Sequence, residues 1–122
     1  MTDDRSPAID EQVLADLLDA TGGDRGFLAE LIDAFLGDAP DLVGQMRAAV
    51  ERGSAEDLVR PAHTLKSSSA SLGALTLSGH CKALEASARA GSLDGAAEAV
   101  ETIATEFDRA TVELTATRDA AE

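Results

Sequence analysis

At 122 residues the chain has room for one hydrophobic core, which argues against a two-domain enzyme. Its 23 acidic residues outnumber 10 basic ones, and the formal net charge of −13 argues against nucleic acid or an anionic membrane as a partner. The Ala- and Leu-rich composition, with few Phe and neither Tyr nor Trp, favours a helical core over a sheet.

Residues 1–10 are polar, lack the apolar run of a secretion signal and, with Met1, read as the start of a free-standing protein. A first helix is expected over about residues 10–20, with Val13, Leu14, Leu17 and Leu18 on one face and Gly22 and Gly23 as its stop. It reads as a lid on a bundle. The second segment starts at the N-cap candidate Asp24 and runs to about residue 52, before Gly53. Phe27, Leu28, Leu31, Ile32, Phe35, Leu42, Val43, Met46 and Val50 form its apolar stripe. Pro40 lies inside it, which predicts a kink or two helices end to end.

The third segment opens on Ser54 and Asp57, an S-x-x-D cap signal, and runs to about residue 72, where Gly73 stops it. The fourth covers about residues 76–90, buries Leu77, Cys81, Leu84 and Ala88, and ends at Gly91. Ser92 is placed to cap the fifth, whose stripe is Leu93, Ala96, Val100, Ile103, Phe107, Ala110 and Leu114. Residues 119–122 are expected to fray. The short connections make consecutive helices antiparallel neighbours. The expected fold is all-α, an antiparallel up-down-up-down four-helix bundle with an additional short N-terminal helix, in a single domain over residues 1–122.

Cys81 is the lone cysteine, so the chain forms no internal disulfide and suits a reducing compartment. No segment reaches the roughly 20 apolar residues of a membrane span. A cytoplasmic protein is expected.

On a helical wheel of about 100° per residue, Leu58, Leu65 and Leu72 lie opposite His63, with Ser69 at the edge of their stripe. His63 therefore points to solvent. Arg60 and Lys66 lie about 60° to either side of it, and Ser67 and Ala70 about 40° and 20° away. Most exposed helical histidines have no task. This one has small neighbours that leave room for another protein's surface, and a lysine one turn away able to balance charge on an incoming phosphoryl group. Imidazole is also the side chain that is both largely neutral and nucleophilic near neutral pH.

The run AHTLKSSSASLGA at residues 62–74 resembles the histidine-containing phosphotransfer (HPt) family, whose signature is close to A-H-x-L-K-G-x-S-x-x-L-G-A. Ala62, His63, Leu65, Lys66, Ser69, Leu72, Gly73 and Ala74 all fall in place. The long second helix with its internal proline, CKALE at residues 81–85 and the Gly91 turn are similar to the family as well. The resemblance implies that His63 accepts a phosphoryl group from a receiver-domain aspartyl phosphate and that Lys66 supports the phosphoryl oxygens. It implies response-regulator receiver domains as partners, with a hybrid histidine kinase as a further one. Ser67 stands where the family often has glycine. Pro61 removes a backbone bond to Asp57 and is placed to bend the helix just before the active turn.

On the next helix Lys82 and Arg89 share a face. Ordinary solvation explains them as well as a docking role beside His63, in which Glu85 orients one of the cations. The expected docking set is thus Arg60, Ser67, Ala70, Lys82, Glu85 and Arg89. His80 and Cys81 are neighbours on a helix, diverge by about 100° and make a poor metal pair. Ser67, Ser68 and Ser69 have no implied base and read as packing residues. With no Gly-rich phosphate loop, no cofactor, metal site or kinase activity is expected, and any magnesium would belong to the receiver. The protein is expected to be a monomer. The rival function is a helical adaptor that binds a receiver or partner helix without being phosphorylated. A metal-storing bundle would require inward-facing carboxylates and histidines that the apolar stripes do not show.

Overall fold

A computed structural model of the chain describes residues 7–121. The polar start at residues 1–6 and Glu122 lie outside the described residues. Five helices follow in order: α1 (Glu11–Ala20), α2 (Arg25–Glu51), α3 (Ala55–Ser71), α4 (Leu75–Arg89) and α5 (Ala96–Ala121). Among the described residues there is no strand. The four longer helices pack in a ring, α2 against α3 and α5, and α4 against α3 and α5, while α1 rests on α2. This is the up-down-up-down bundle that the short connections imply.

Side chains fix the helix starts. Asp10, Asp24 and Ser54 accept the backbone N–H of Gln12, Phe27 and Asp57, satisfying donors that the first turn leaves free. The predicted stripes converge on one core that contains Ile32, Met46, Leu58, Leu65, Leu77, Cys81, Ile103 and Leu114. Phe35 of α2 meets Phe107 of α5 edge-to-face at 5.6 Å.

Four expectations need correction. Pro40 does not divide its segment, for α2 runs unbroken through it with the ring exposed. Phe27, assigned to the buried stripe, is 42% exposed because it sits in the first turn of α2, at the end of the apolar contact. Ser92 does not cap α5. Its hydroxyl accepts the N–H of Asp94, and the helix begins only at Ala96, after Gly95 with φ +69°. The C-terminal end is helical through residues 119–121, and Arg118 there pairs with Asp33 of α2 at 2.7 Å.

The segment before α1 is tied to the bundle at two places. The Glu113 carboxylate of α5 accepts the N–H groups of Ala8 and Ile9, at 2.6 and 3.2 Å. Asp10 donates its N–H to the Gly73 carbonyl at 2.8 Å. Gly73 has φ +82°, and a Cβ there would lie 2.7 Å from the Asp10 carbonyl oxygen. Both the turn and the close approach of the strap therefore require glycine at this point.

Candidate functional site

Helix α3 turns its apolar face inward at Leu58, Ala62, Leu65 and Ser69, all fully buried. This leaves His63 on the outer side at mid-helix, its side chain 53% exposed. Ser69, expected at the edge of the stripe, lies inside it and donates its hydroxyl to the Leu65 carbonyl at 2.5 Å. Pro61 is also buried, and α3 continues through it.

Directly across from His63, α4 presents Glu85. His63 Nδ1 lies 3.0 Å from Glu85 Oε2, which also accepts Arg89 Nε at 2.9 Å and Arg89 Nη2 at 2.8 Å. Glu85 Oε1 is buried and is compensated by the Lys66 ammonium at 2.7 Å. The Glu85 side chain is only 7% exposed, whereas that of Arg89 is 59% exposed. A single carboxylate beneath the surface thus gathers the imidazole, the ammonium and the guanidinium.

The Lys66 hydrogen bond is the largest influence holding the Glu85 carboxyl at about 2, well below the usual carboxylate range. Burial pushes the other way and is outweighed, with Arg89 and His63 adding to the lowering. Glu85 is therefore an anion throughout the physiological range. Its acceptor oxygen facing His63 favours the ring tautomer with the proton on Nδ1, which leaves the lone pair on Nε2.

Of the residues expected here, His63, Lys66, Glu85 and Arg89 come together. Arg60 and Ser67 are exposed and Ala70 is half-buried on the same helix as His63, and Lys82 is exposed on α4. Among the described residues neither Arg60 nor Lys82 bonds to the cluster. Glu85 departs from its expected place among docking residues: it is buried, and it orients three groups rather than one cation.

Ser78 was not anticipated. Its hydroxyl, on α4, donates to the Lys66 carbonyl at 2.9 Å and joins the two helices one turn beyond His63. A bond between residues on two helices leaves no periodic signal in the sequence. His80 is exposed and Cys81 buried, and burial pushes the Cys81 thiol up to about 12. Among the described residues no group of three His, Cys, Asp or Glu side chains gathers in a metal-binding arrangement. Nor is any helix among them long and apolar enough to cross a membrane.

Helices α3 and α4 carry Arg60, Lys66, Lys82 and Arg89 against Glu56, Asp57 and Glu85. The acidic excess of the chain therefore lies outside these two helices.

Residues 30–116 match the family model of the Hpt domain, a stretch that includes the whole cluster. The crystal structure of histidine-containing phosphotransfer protein B (HptB) from Pseudomonas aeruginosa PAO1 is similar at a TM-score of 0.85 and 32% identity. The likeness covers 94% of this chain and 97% of that one. Among curated proteins no sequence match is found.

Proposed function

This chain belongs to the Hpt domain family, and we propose that it is a single-domain phosphoryl carrier of a two-component phosphorelay, accepting the group on His63 from one receiver-domain aspartate and passing it to another. The observation that carries this reading is the hydrogen bond between His63 Nδ1 and the buried Glu85 carboxylate, 3.0 Å long, on a ring that is otherwise open to solvent. With the proton held at Nδ1, the exposed Nε2 is the nucleophile.

When a receiver docks, Nε2 attacks the phosphorus of its aspartyl phosphate in line, and the aspartate leaves as a carboxylate. Positive charge grows on the ring as the new bond forms, and Glu85 stabilises it through Nδ1–H. Lys66 and Arg89, already beside the ring, balance charge on the transferring group. Magnesium belongs to the receiver's own carboxylates. The chain is a carrier without kinase activity of its own, and acts as a cytoplasmic monomer. Arg60, Ser67, Ala70 and Lys82 form the rim on which the receiver sits.

Incubation with a phosphorylated receiver tests the reading. Wild-type protein should gain an acid-labile, base-stable phosphate, and His63→Gln should gain none while keeping its helical spectrum and unfolding midpoint. An adaptor would bind the receiver and gain no phosphate. Phosphate retained on His63→Gln at the wild-type level would remove His63 from its role.

A further inference from the structure

In the unphosphorylated protein the cations beside His63 are already engaged. Lys66 sits 2.7 Å from Glu85 Oε1, and Arg89 contacts Oε2 through two nitrogens. Glu85 is buried beneath both, so its charge is poorly screened by solvent and fixed in place by α4.

Phosphorylation changes the charge of this site. The Nε2 lone pair forms the N–P bond, the O–P bond to the receiver's aspartate breaks, and the aspartate oxygen keeps the bonding electrons. The Nδ1 proton stays on the ring, which becomes positive, while the phosphoryl group brings two negative charges. The site is then more negative by one unit, and by two if the ring proton departs. The added negative charge lies on the phosphoryl oxygens at Nε2, which compete with Glu85 for the same ammonium and guanidinium.

We propose that Glu85 is a positioning residue that sets how tightly His63 holds its phosphoryl group: by keeping Lys66 and Arg89 on its own carboxylate, it withholds both cations from the phosphoryl oxygens, limits the stability of phospho-His63 and keeps exchange with a receiver reversible. This rests on His63 being the phosphoryl carrier. A carrier that released both cations to the phosphoryl group would bind it more firmly and pass it on less readily. Glu85 thereby assists the attack through Nδ1–H and opposes over-stabilisation of the product.

The test is the equilibrium constant for phosphoryl exchange between this chain and a purified receiver domain phosphorylated with a small-molecule donor, wild type against Glu85→Gln. Glutamine keeps one acceptor oxygen, which nitrogen NMR of the His63 ring verifies on Nδ1–H through an unchanged tautomer, and replaces the oxygen facing Lys66 with an amide group that does not hold the ammonium. The equilibrium should shift by roughly tenfold toward phospho-His63, as expected for removing one close charge at moderate effective dielectric, and return transfer should slow accordingly. A purely structural role for Glu85 would lower stability without moving this ratio. If Glu85→Gln does not fold, the same comparison is made between Lys66→Met and the double variant Lys66→Met, Glu85→Gln, and a shift in the same direction is required. An equilibrium unchanged within twofold, or moved toward the receiver, overturns the inference. Wild-type protein that takes phosphate at His63 from neither the receiver nor phosphoramidate overturns the carrier reading instead.

Discussion

His63 and Glu85 stand 22 residues apart in sequence and meet across two antiparallel helices, Nδ1 to Oε2 at 3.0 Å. The α3–α4 turn that brings them together depends on Gly73, and the Ser78 hydroxyl joins the helices at the Lys66 carbonyl. The geometry of the His63 cluster and the stability of the fold are therefore linked through the same helix pair.

Because the Glu85 carboxyl is held near 2 when folded and returns to about 4.5 when unfolded, its contribution to stability has a defined pH window. A lowered folded value favours the folded state above the unfolded value, and that advantage is lost as the pH falls from about 4.5 toward 2. The urea midpoint of wild type should exceed that of Glu85→Gln by a constant margin above pH 5, and the margin should shrink as the pH falls through the window. A margin independent of pH down to 2 would contradict the ion-pair geometry.

Lys66→Ala should slow phosphotransfer and also lower stability, by about 1–3 kcal/mol, because it leaves buried Glu85 Oε1 without its partner. An ordinary surface lysine would cost far less. Stopped-flow transfer rates and urea unfolding measure the two effects separately. Wild-type stability in the variant would show that Lys66 does not compensate Glu85.

Gly73→Ala should destabilise the protein by about 1–3 kcal/mol, since it places a side chain at φ +82° and against the Asp10 carbonyl. Amide exchange at Asp10, whose N–H is bonded to the Gly73 carbonyl, should accelerate along with the loss. If exchange at Asp10 stayed at the wild-type rate, the strap would not be held by this turn.

Much of this arrangement is readable in the sequence because helical periodicity is local. Leu58, Leu65 and Leu72 define the buried side of α3, and from them the exposure of His63 follows by angle alone. Capping was also readable at Asp24 and Ser54, where a side chain acts on its own turn. What escaped depends on the spatial relation of two elements. The burial of Glu85 is set by how α4 lies on α3, and its pairing with Lys66 by a turn whose geometry no wheel describes. Ser92 misled because a hydroxyl stabilises a tight turn as readily as a helix start, and here it bonds Asp94 two residues ahead of α5.

Ser67 is exposed one turn beyond His63 on the same helix, so under the proposed phosphotransfer it borders the path by which a receiver's aspartate would reach Nε2. Enlarging it should exclude the partner without touching the imidazole, because the Glu85 bond that orients His63 lies on the α4 side and involves no atom of Ser67. Ser67→Gln should therefore lose transfer from a phosphorylated receiver by about tenfold or more, as expected for a steric cost near 1.4 kcal/mol at the docking surface. Its modification by phosphoramidate, a donor too small to contact residue 67 and the rim together, should proceed at the wild-type rate. Ser67→Gly, with less bulk, should transfer at least as fast as wild type. The side chain is exposed, so Ser67→Gln should unfold within about 0.5 kcal/mol of wild type, while Ser67→Gly should lose about 0.5–1 kcal/mol through the low helix propensity of glycine. The decisive measurement is the ratio of the two rates in each variant. A Ser67→Gln protein slowed equally with both donors would place the damage at His63 itself, and the receiver would then have to approach from another side of the bundle.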